Sequence, residues 1–564
     1  MQIKVFTPLW LMLGAVILSL GWLLPNNSPP WLSFHKEAWV ACVLLLVSAR
    51  VLLRQTAPHP LHWLALLIFG LSAIPIVQFL CGQSTQFGMV WMHSLYLLGF
   101  ALAIQVGAKW ELDSPGQCAD FVFMAFTCAA VVSTGLQIFQ WLGFRSDTIW
   151  ILSSTLPNRY YANLTQPNVL GSLLLLGVIG TAWAHFRQNL TAWVAVALAA
   201  IVLFGVALTG SRTAWLNIFL LATGLILLRN KLYSPHFLKV ALGLAAYFVI
   251  VSITIPYIDL ILFFPDDLPS QFRGLNDPAR TTAWIMFLEA ASRQPWFGFG
   301  WGQISQAHFM LVASYPPAGG IFAQSHNMVL DLILWNGYPI GLAIVGFLGW
   351  WIWQAGKLAI QFDQFAIMAA MLILGVHSML EFPLHYAHLL LPAGLLLGVL
   401  NTSLGFRLAF LVKSWVNGAV LVSAGLAMTV TISDYFKAEN SFYGLRFEDR
   451  GIPSNYPKTA PDVVVLTQLR DVIVLARNRP SKDVTEEELN WMRGLVIAIP
   501  SVLSFYKLAA NLAMSGQPKE AAVWLEVMCS VTNEKLCGSM ALRWQKAAIT
   551  SPQMAIVPWP AKAP

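Results

Sequence analysis

The chain has 564 residues, of which 57% are hydrophobic and 10% charged, and its mean hydropathy is +0.65. Soluble globular domains carry about 25% charged residues, so this composition excludes that class and points to a membrane protein. The net charge of +7 follows membrane topology and gives no argument for a nucleic-acid partner.

Apolar runs of roughly 17 to 25 residues, enough to cross a bilayer, recur from Pro8 to about Ile432. They predict an all-α polytopic membrane protein with about 13 transmembrane helices, at 8–24, 38–53, 61–80, 88–107, 119–142, 165–185, 190–209, 212–229, 237–256, 327–353, 364–380, 386–405 and 409–432. The first run lacks a small-residue cleavage site and reads as a retained span. With the N-terminus inside, the inner loops hold Lys4, Arg50, Arg54, Lys109, Arg187, Arg229, Lys231, Lys239, Lys357, Arg407 and Lys413. The short outer loops hold mainly Lys36, Arg145, Arg159 and Arg212. This is the positive-inside pattern, and an odd number of spans leaves the C-terminal segment outside.

Three segments interrupt the helices. A modest outer loop near 143–164 carries Arg145, Asp147, Asn158, Arg159 and Tyr160. A large outer loop, 257–326, is rich in Pro, Gly, Trp and Phe, and its aromatic content favours a structured lid or interfacial half-helices. It separates spans over 1–256 from those over 327–433. From 434 to 564 the charge rises, and amphipathic helices are predicted at 466–476, 486–499, 503–514 and 519–529, the second opened by a Thr485/Glu488 capping box. Asn511 to Ala522 has the pattern of a tetratricopeptide helix–turn–helix, in one copy only. The domain is expected to be small and helical, with a loose Pro- and Ala-rich tail from about Ser551. Cys529 and Cys537 lie in it, where an oxidising compartment would permit a disulfide. Cys42, Cys81, Cys118 and Cys128 have no metal-ligand spacing.

The polar residues at the outer face are the candidates for chemistry. Gln324-Ser325-His326-Asn327 closes the large loop and opens an apolar helix. His326 is either a helix-terminal histidine bonded to a carbonyl or a general base, since imidazole titrates near neutrality. Arg212 is either an interfacial snorkelling side chain or a clamp for phosphate oxygens, to which a guanidinium fork is suited. Arg280 is either an ordinary solvated loop arginine or a second such clamp. His377, His385 and His388 surround the corner that holds Glu381, a carboxylate at a membrane edge that needs a donor. A His-x-x-x-His face is absent there, so no metal is expected. Asn163, Gln166 and Asn168 glue helices together or bind a sugar or diphosphate.

Taken in order, Thr165-Gln166-Pro167-Asn168, Gly210-Ser211-Arg212-Thr213-Ala214-Trp215, Ala279-Arg280-Thr281-Thr282-Ala283-Trp284, Gly300-Trp301-Gly302-Gln303, Ser325-His326-Asn327 and His377 to Leu384 resemble the bacterial O-antigen ligase and polymerase superfamily. Within it the chain resembles the pilin-type O-oligosaccharyltransferases, to which the Glu381-Phe382-Pro383-Leu384 corner and the extra helical domain point. The resemblance implies a multi-pass protein of the bacterial inner membrane, with active site and C-terminal domain facing the periplasm. It implies an undecaprenyl-diphosphate-linked oligosaccharide as donor, and a Ser or Thr hydroxyl of a pilin or other exported protein as acceptor. It assigns His326 as base and Arg212 and Arg280 as diphosphate ligands, without a metal or other cofactor. Gln166, Asn168, Arg159, Glu381, His377, His385, Gln303, Trp301 and Asn327 are supporting candidates. Phe297, Phe299, Trp301 and Tyr315 could flank the sugar. A ligase that acts on lipid A core has the same chemistry with another acceptor. A lipid-linked-sugar transporter would call for internal repeats, and none is evident.

Overall fold

The computed structural model describes residues 8–54, 59–144, 149–153, 159–229, 235–263, 278–316, 320–406 and 411–560. Arg145, Asp147 and Asn158 of the first outer loop lie outside them, as do 264–277 and 317–319 of the second. The described chain is helical apart from one two-residue antiparallel pairing, His59–Pro60 with Leu411–Val412.

The apolar segments are occupied by α1 (Leu9–Leu23), α2 (Phe34–Leu52), α3 (Trp63–Leu71), α4 (Ile74–Leu80), α5 (Phe87–Asp113), α6 (Gln117–Trp141), α7 (Pro167–Phe186), α8 (Ala192–Leu208) and α9 (Arg212–Leu227). After these come α10 (Pro235–Phe263), the loop helices α11 (Pro278–Arg293) and α12 (Ile304–Leu311), and then α13 (Met328–Leu358), α14 (Phe362–Ser378), α15 (Ala387–Ser403) and α16 (Ser414–Asp449). Among the described residues, seven helices are long and apolar enough to cross a membrane: 63–80, 87–113, 117–141, 167–186, 236–262, 328–358 and 414–449. The chain is thus an all-α multi-pass membrane protein. Helix α10, expected to stop near 256, runs on to Phe263 through Pro256, because Ile258, Ile261 and Leu262 extend its apolar surface.

Two compact units are formed from discontinuous stretches. The first comprises 1–69, 98–275 and 351–425. Within it α6 and α7 approach closely, and a Cβ on Gly177 would lie 2.3 Å from that of Ala130. Small residues of this kind permit tight packing where lipid supplies no hydrophobic drive. Asp120 receives the guanidinium of Arg187 through two 3.0 Å bonds and Trp183 Nε1 at 2.7 Å, so its buried charge is partnered.

The second unit comprises 70–97, 276–350 and 426–564. Its helix α13 breaks at Gly337 (φ 73°). There the usual bond from Tyr338 N–H to Leu334 O is exchanged: Tyr338 N–H donates to Pro295 O and Phe299 N–H to Leu334 O, both at 2.7 Å. The Trp296–Phe299 turn therefore plugs the break, and a Cβ on Gly298 would lie 2.4 Å from Leu334 O.

The C-terminal residues of this unit form α17 (Thr467–Arg477), α18 (Glu486–Ala498), α19 (Val502–Met514), α20 (Pro518–Ser530), α21 (Glu534–Thr550) and the short α22 (Pro552–Ala555) around one apolar core. Thr485 and Glu488 form the reciprocal cap. Cys529 and Cys537 are disulfide-bonded. Helix α21 was not foreseen, and the tail is not loose as far as residue 560: Met554 and Val557 are buried and Trp544 Nε1 donates to Met554 O. Their apolar side chains cover a core that four helices would leave open. Helix α12 belongs to this core too: Phe309 meets the Phe505 ring edge-on at 5.5 Å, and Ser305 Oγ donates to Ile497 O at 2.8 Å.

Candidate active site

In the first unit the centre of the polar cluster is Asn168. Pro167 begins α7 at a position where its missing N–H costs nothing, which fixes Asn168 in the first turn. The Asn168 Oδ1 accepts Arg159 Nη2 at 3.1 Å and Ser211 Oγ at 2.8 Å, while Nδ2 donates to Glu381 Oε1 at 3.0 Å. Arg159 also donates from Nε to Thr209 O at 3.1 Å. Ser211 caps α9, its Oγ accepting the Ala214 N–H. Arg212 is therefore the first residue of that helix, and its side chain is exposed. A cation gains nothing from the positive end of a helix dipole, whereas an anion placed there meets both the guanidinium and that dipole.

Gln166 Oε1 accepts the Tyr386 hydroxyl at 3.3 Å. Glu381 N–H bonds to His377 O at 2.8 Å, which fixes the corner. His377 is fully buried with Nδ1 2.8 Å from Ser172 Oγ, and so it joins two helices rather than facing outward. His385 lies in the short turn Pro383–His385, 5.8 Å from the Phe382 ring.

The second unit holds His326 and Arg280. His326 has φ 58°, a left-handed conformation that histidine adopts more readily than most residues but still at a cost. Both of its neighbours are tied down. Ser325 N–H donates to Asp331 Oδ1 at 2.9 Å, Ser325 O accepts Trp284 Nε1 at 3.0 Å, and Asn327 Oδ1 caps α13 through the Leu330 N–H at 3.1 Å. Trp284 lies one turn beyond Arg280 on α11. The helix that presents Arg280 in its first turn thus also grips the residue before His326.

Other candidates serve the core. Trp301 packs on Trp335 with centroids 4.9 Å apart, and its backbone N–H donates to Gln78 Oε1. Gln303 is 0% exposed and donates to Ser84 Oγ. Asn327 is a helix cap. Of the loop aromatics, Phe297 is exposed and Phe299 buried, while Tyr315 donates to Glu289 Oε2 at 2.7 Å. That bond lowers the Glu289 carboxyl below its ordinary value. Tyr386 escaped the sequence reading and Trp284 entered it only as part of a motif, since an aromatic residue beside an apolar run carries no sign of a polar partner 220 or 41 residues away. Among the described residues, no three His, Cys, Asp or Glu side chains converge as ligands for a metal.

Two family models match the chain. One, described as O-Antigen ligase, spans 195–350 and so includes Arg212, Arg280 and His326. The other, described as Virulence factor membrane-bound polymerase, C-terminal, spans 365–531 and includes Glu381. A general O-oligosaccharyltransferase of Acinetobacter baylyi is 29% identical over 438 residues, 75% of this chain and 76% of the relative. A ComP-specific O-oligosaccharyltransferase of the same organism is 26% identical over 398 residues, 69% of this chain and 70% of the relative.

Proposed function

We infer that this chain, which belongs to the O-antigen ligase and polymerase superfamily, is a protein O-oligosaccharyltransferase that moves a glycan en bloc from a lipid diphosphate to a protein hydroxyl. Its donor is an oligosaccharide on undecaprenyl diphosphate, and its acceptor a Ser or Thr of a pilin or other exported protein. His326 takes the acceptor proton as the hydroxyl oxygen attacks the anomeric carbon. The bond from that carbon to the diphosphate oxygen breaks, and the charge gathering on the leaving group is stabilised by Arg212 and Arg280. No metal is needed for this step, because the guanidinium groups carry the counter-charge.

The observation that carries the reading is the placement of both arginines in the first turn of a helix, with His326 gripped by Arg280's own helix through Trp284. Topology fits as well. The about thirteen spans expected from the sequence, with the N-terminus inside, would put His326 and the C-terminal domain in the periplasm, where the Cys529–Cys537 disulfide would persist. The antiparallel pair α19 and α20 supports the tetratricopeptide-like reading of that domain.

The test is transfer in a host that supplies one lipid-linked oligosaccharide together with a pilin and lipid A core. A pilin mass shift, lost in His326→Ala and Arg280→Ala proteins that still fold, is the expected result. Glycan on lipid A core with the pilin unmodified would make the protein a lipid-directed ligase. Full transfer by the His326→Ala protein would remove the assigned base.

A further inference from the structure

Helix α12 carries a buried histidine that the chemistry above does not use. His308 is 2% exposed, and its Nδ1 accepts the backbone N–H of Phe322 at 3.3 Å. A neutral ring accepting at Nδ1 carries its proton on Nε2. The ring lies parallel to Phe309 (5.8 Å between centroids, 11° between planes) and edge-on to Phe322 at 5.2 Å. Phe287, on the helix of Arg280, closes the cage at 6.5 Å. Phe322 in turn meets the His326 ring edge-on at 6.2 Å.

We propose that His308 is a positioning residue for His326, holding the Phe322 backbone and ring so that Phe322 forms a fixed wall for the imidazole. Residues 320–326 have no regular structure of their own. Their downstream end is held by Asp331 and Trp284 at Ser325. Their upstream end is divided between two cores, Ile321 packing with the helical domain and Phe322 with the cluster around Phe287 and Trp301. The His308 bond fixes which way that division falls. Its base is rigid, since α12 is anchored by Ser305 and Phe309. Loss of the bond would leave His326 attached but its ring less ordered. That should slow the chemical step more than it weakens binding.

The inference rests on His326 being the base, so the test has two independent readouts on the purified full-length protein. His308→Leu keeps an apolar side chain of similar bulk without an acceptor; His308→Asn returns an acceptor near the Nδ1 position. Hydrogen–deuterium exchange over 320–327 should quicken about tenfold in the leucine variant, the loss of one net hydrogen bond. Helical-domain peptides should be unchanged, and the asparagine variant should regain protection. In reconstituted transfer, kcat should fall about tenfold with donor and acceptor KM within twofold of wild type, and asparagine should recover most of it. Unchanged exchange in the leucine variant overturns the proposal. So does a raised KM with kcat intact, or exchange that quickens across the whole helical domain. If the wild type moves no glycan to protein, the enzymatic reading fails, while the exchange comparison still decides whether His308 holds the segment.

Discussion

Asn168→Asp gives the sharpest perturbation of the polar cluster in the first unit. The new carboxylate keeps acceptors toward Arg159 and Ser211 but loses the donor that reaches Glu381 at 3.0 Å. Two carboxylates about 3 Å apart repel by about 5 kcal/mol at an effective dielectric of about 20. Arg159 offsets part of this, and the pair can share a proton, so we expect a net cost of about 2 to 4 kcal/mol at pH 7. Ser211 caps α9 and touches Asn168, so the disturbance reaches Arg212 directly. Transfer by the reconstituted variant should fall about 10- to 100-fold at pH 7, and the deficit should shrink toward pH 5 as a proton joins the pair. Adding Glu381→Gln restores a donor opposite the carboxylate and should recover at least half of the lost stability, read as the thermal midpoint in detergent. A single variant as stable and active as wild type at pH 7, or a double variant no better than the single, would refute the reasoning.

His308 makes stability depend on acid. Burial brings its imidazole down to about 4 from the ordinary 6.5, so the unfolded chain binds the proton first. Stability is complete above pH 6.5 and falls as the pH drops toward 4, by about 1.4 kcal/mol per unit at most. His308→Asn should flatten that part of the thermal-midpoint profile. Opening the Cys529–Cys537 disulfide, eight residues apart, with Cys537→Ser should cost the helical domain about 2.5 kcal/mol by loop-closure entropy. A denaturant midpoint read from domain peptides checks this, and an unchanged midpoint would mean the reduced ends hold each other without the bond.

The sequence could be read wherever local chemistry decides the outcome. Apolar runs became helices because a helix satisfies its own backbone N–H and C=O groups where lipid offers no partner, and Thr485 with Glu488 formed its cap because both partners lie within four residues. Asn168, Arg159 and Glu381 could be picked out as polar residues at a membrane edge. That they bond one another could not, since Asn168 and Glu381 are 213 residues apart. Trp301 and Gln303 show a different limit. Their residue types suit a sugar site, but the sequence does not reveal which way a loop side chain turns, and both turn into the core. The left-handed backbone at His326 was equally hidden, because its neighbour Ser325 is held from two helices, by Trp284 on α11 and Asp331 on α13. The tail after Ser551 looked loose by composition, yet Met554 and Val557 fill the core that α21 leaves open.

Helix α12 has a consequence for engineering. One side of it is built into the helical domain through Phe309, Phe505, Ser305 and Ile497, while His308 reaches the segment that ends at His326. A chimaera joined at residue 434, where charge rises along the chain, would pair α12 with a foreign core and disturb the segment that ends at His326. Grafts meant to redirect acceptor choice between relatives should therefore carry 278–327 together with the domain, with the seam on the far side of His326.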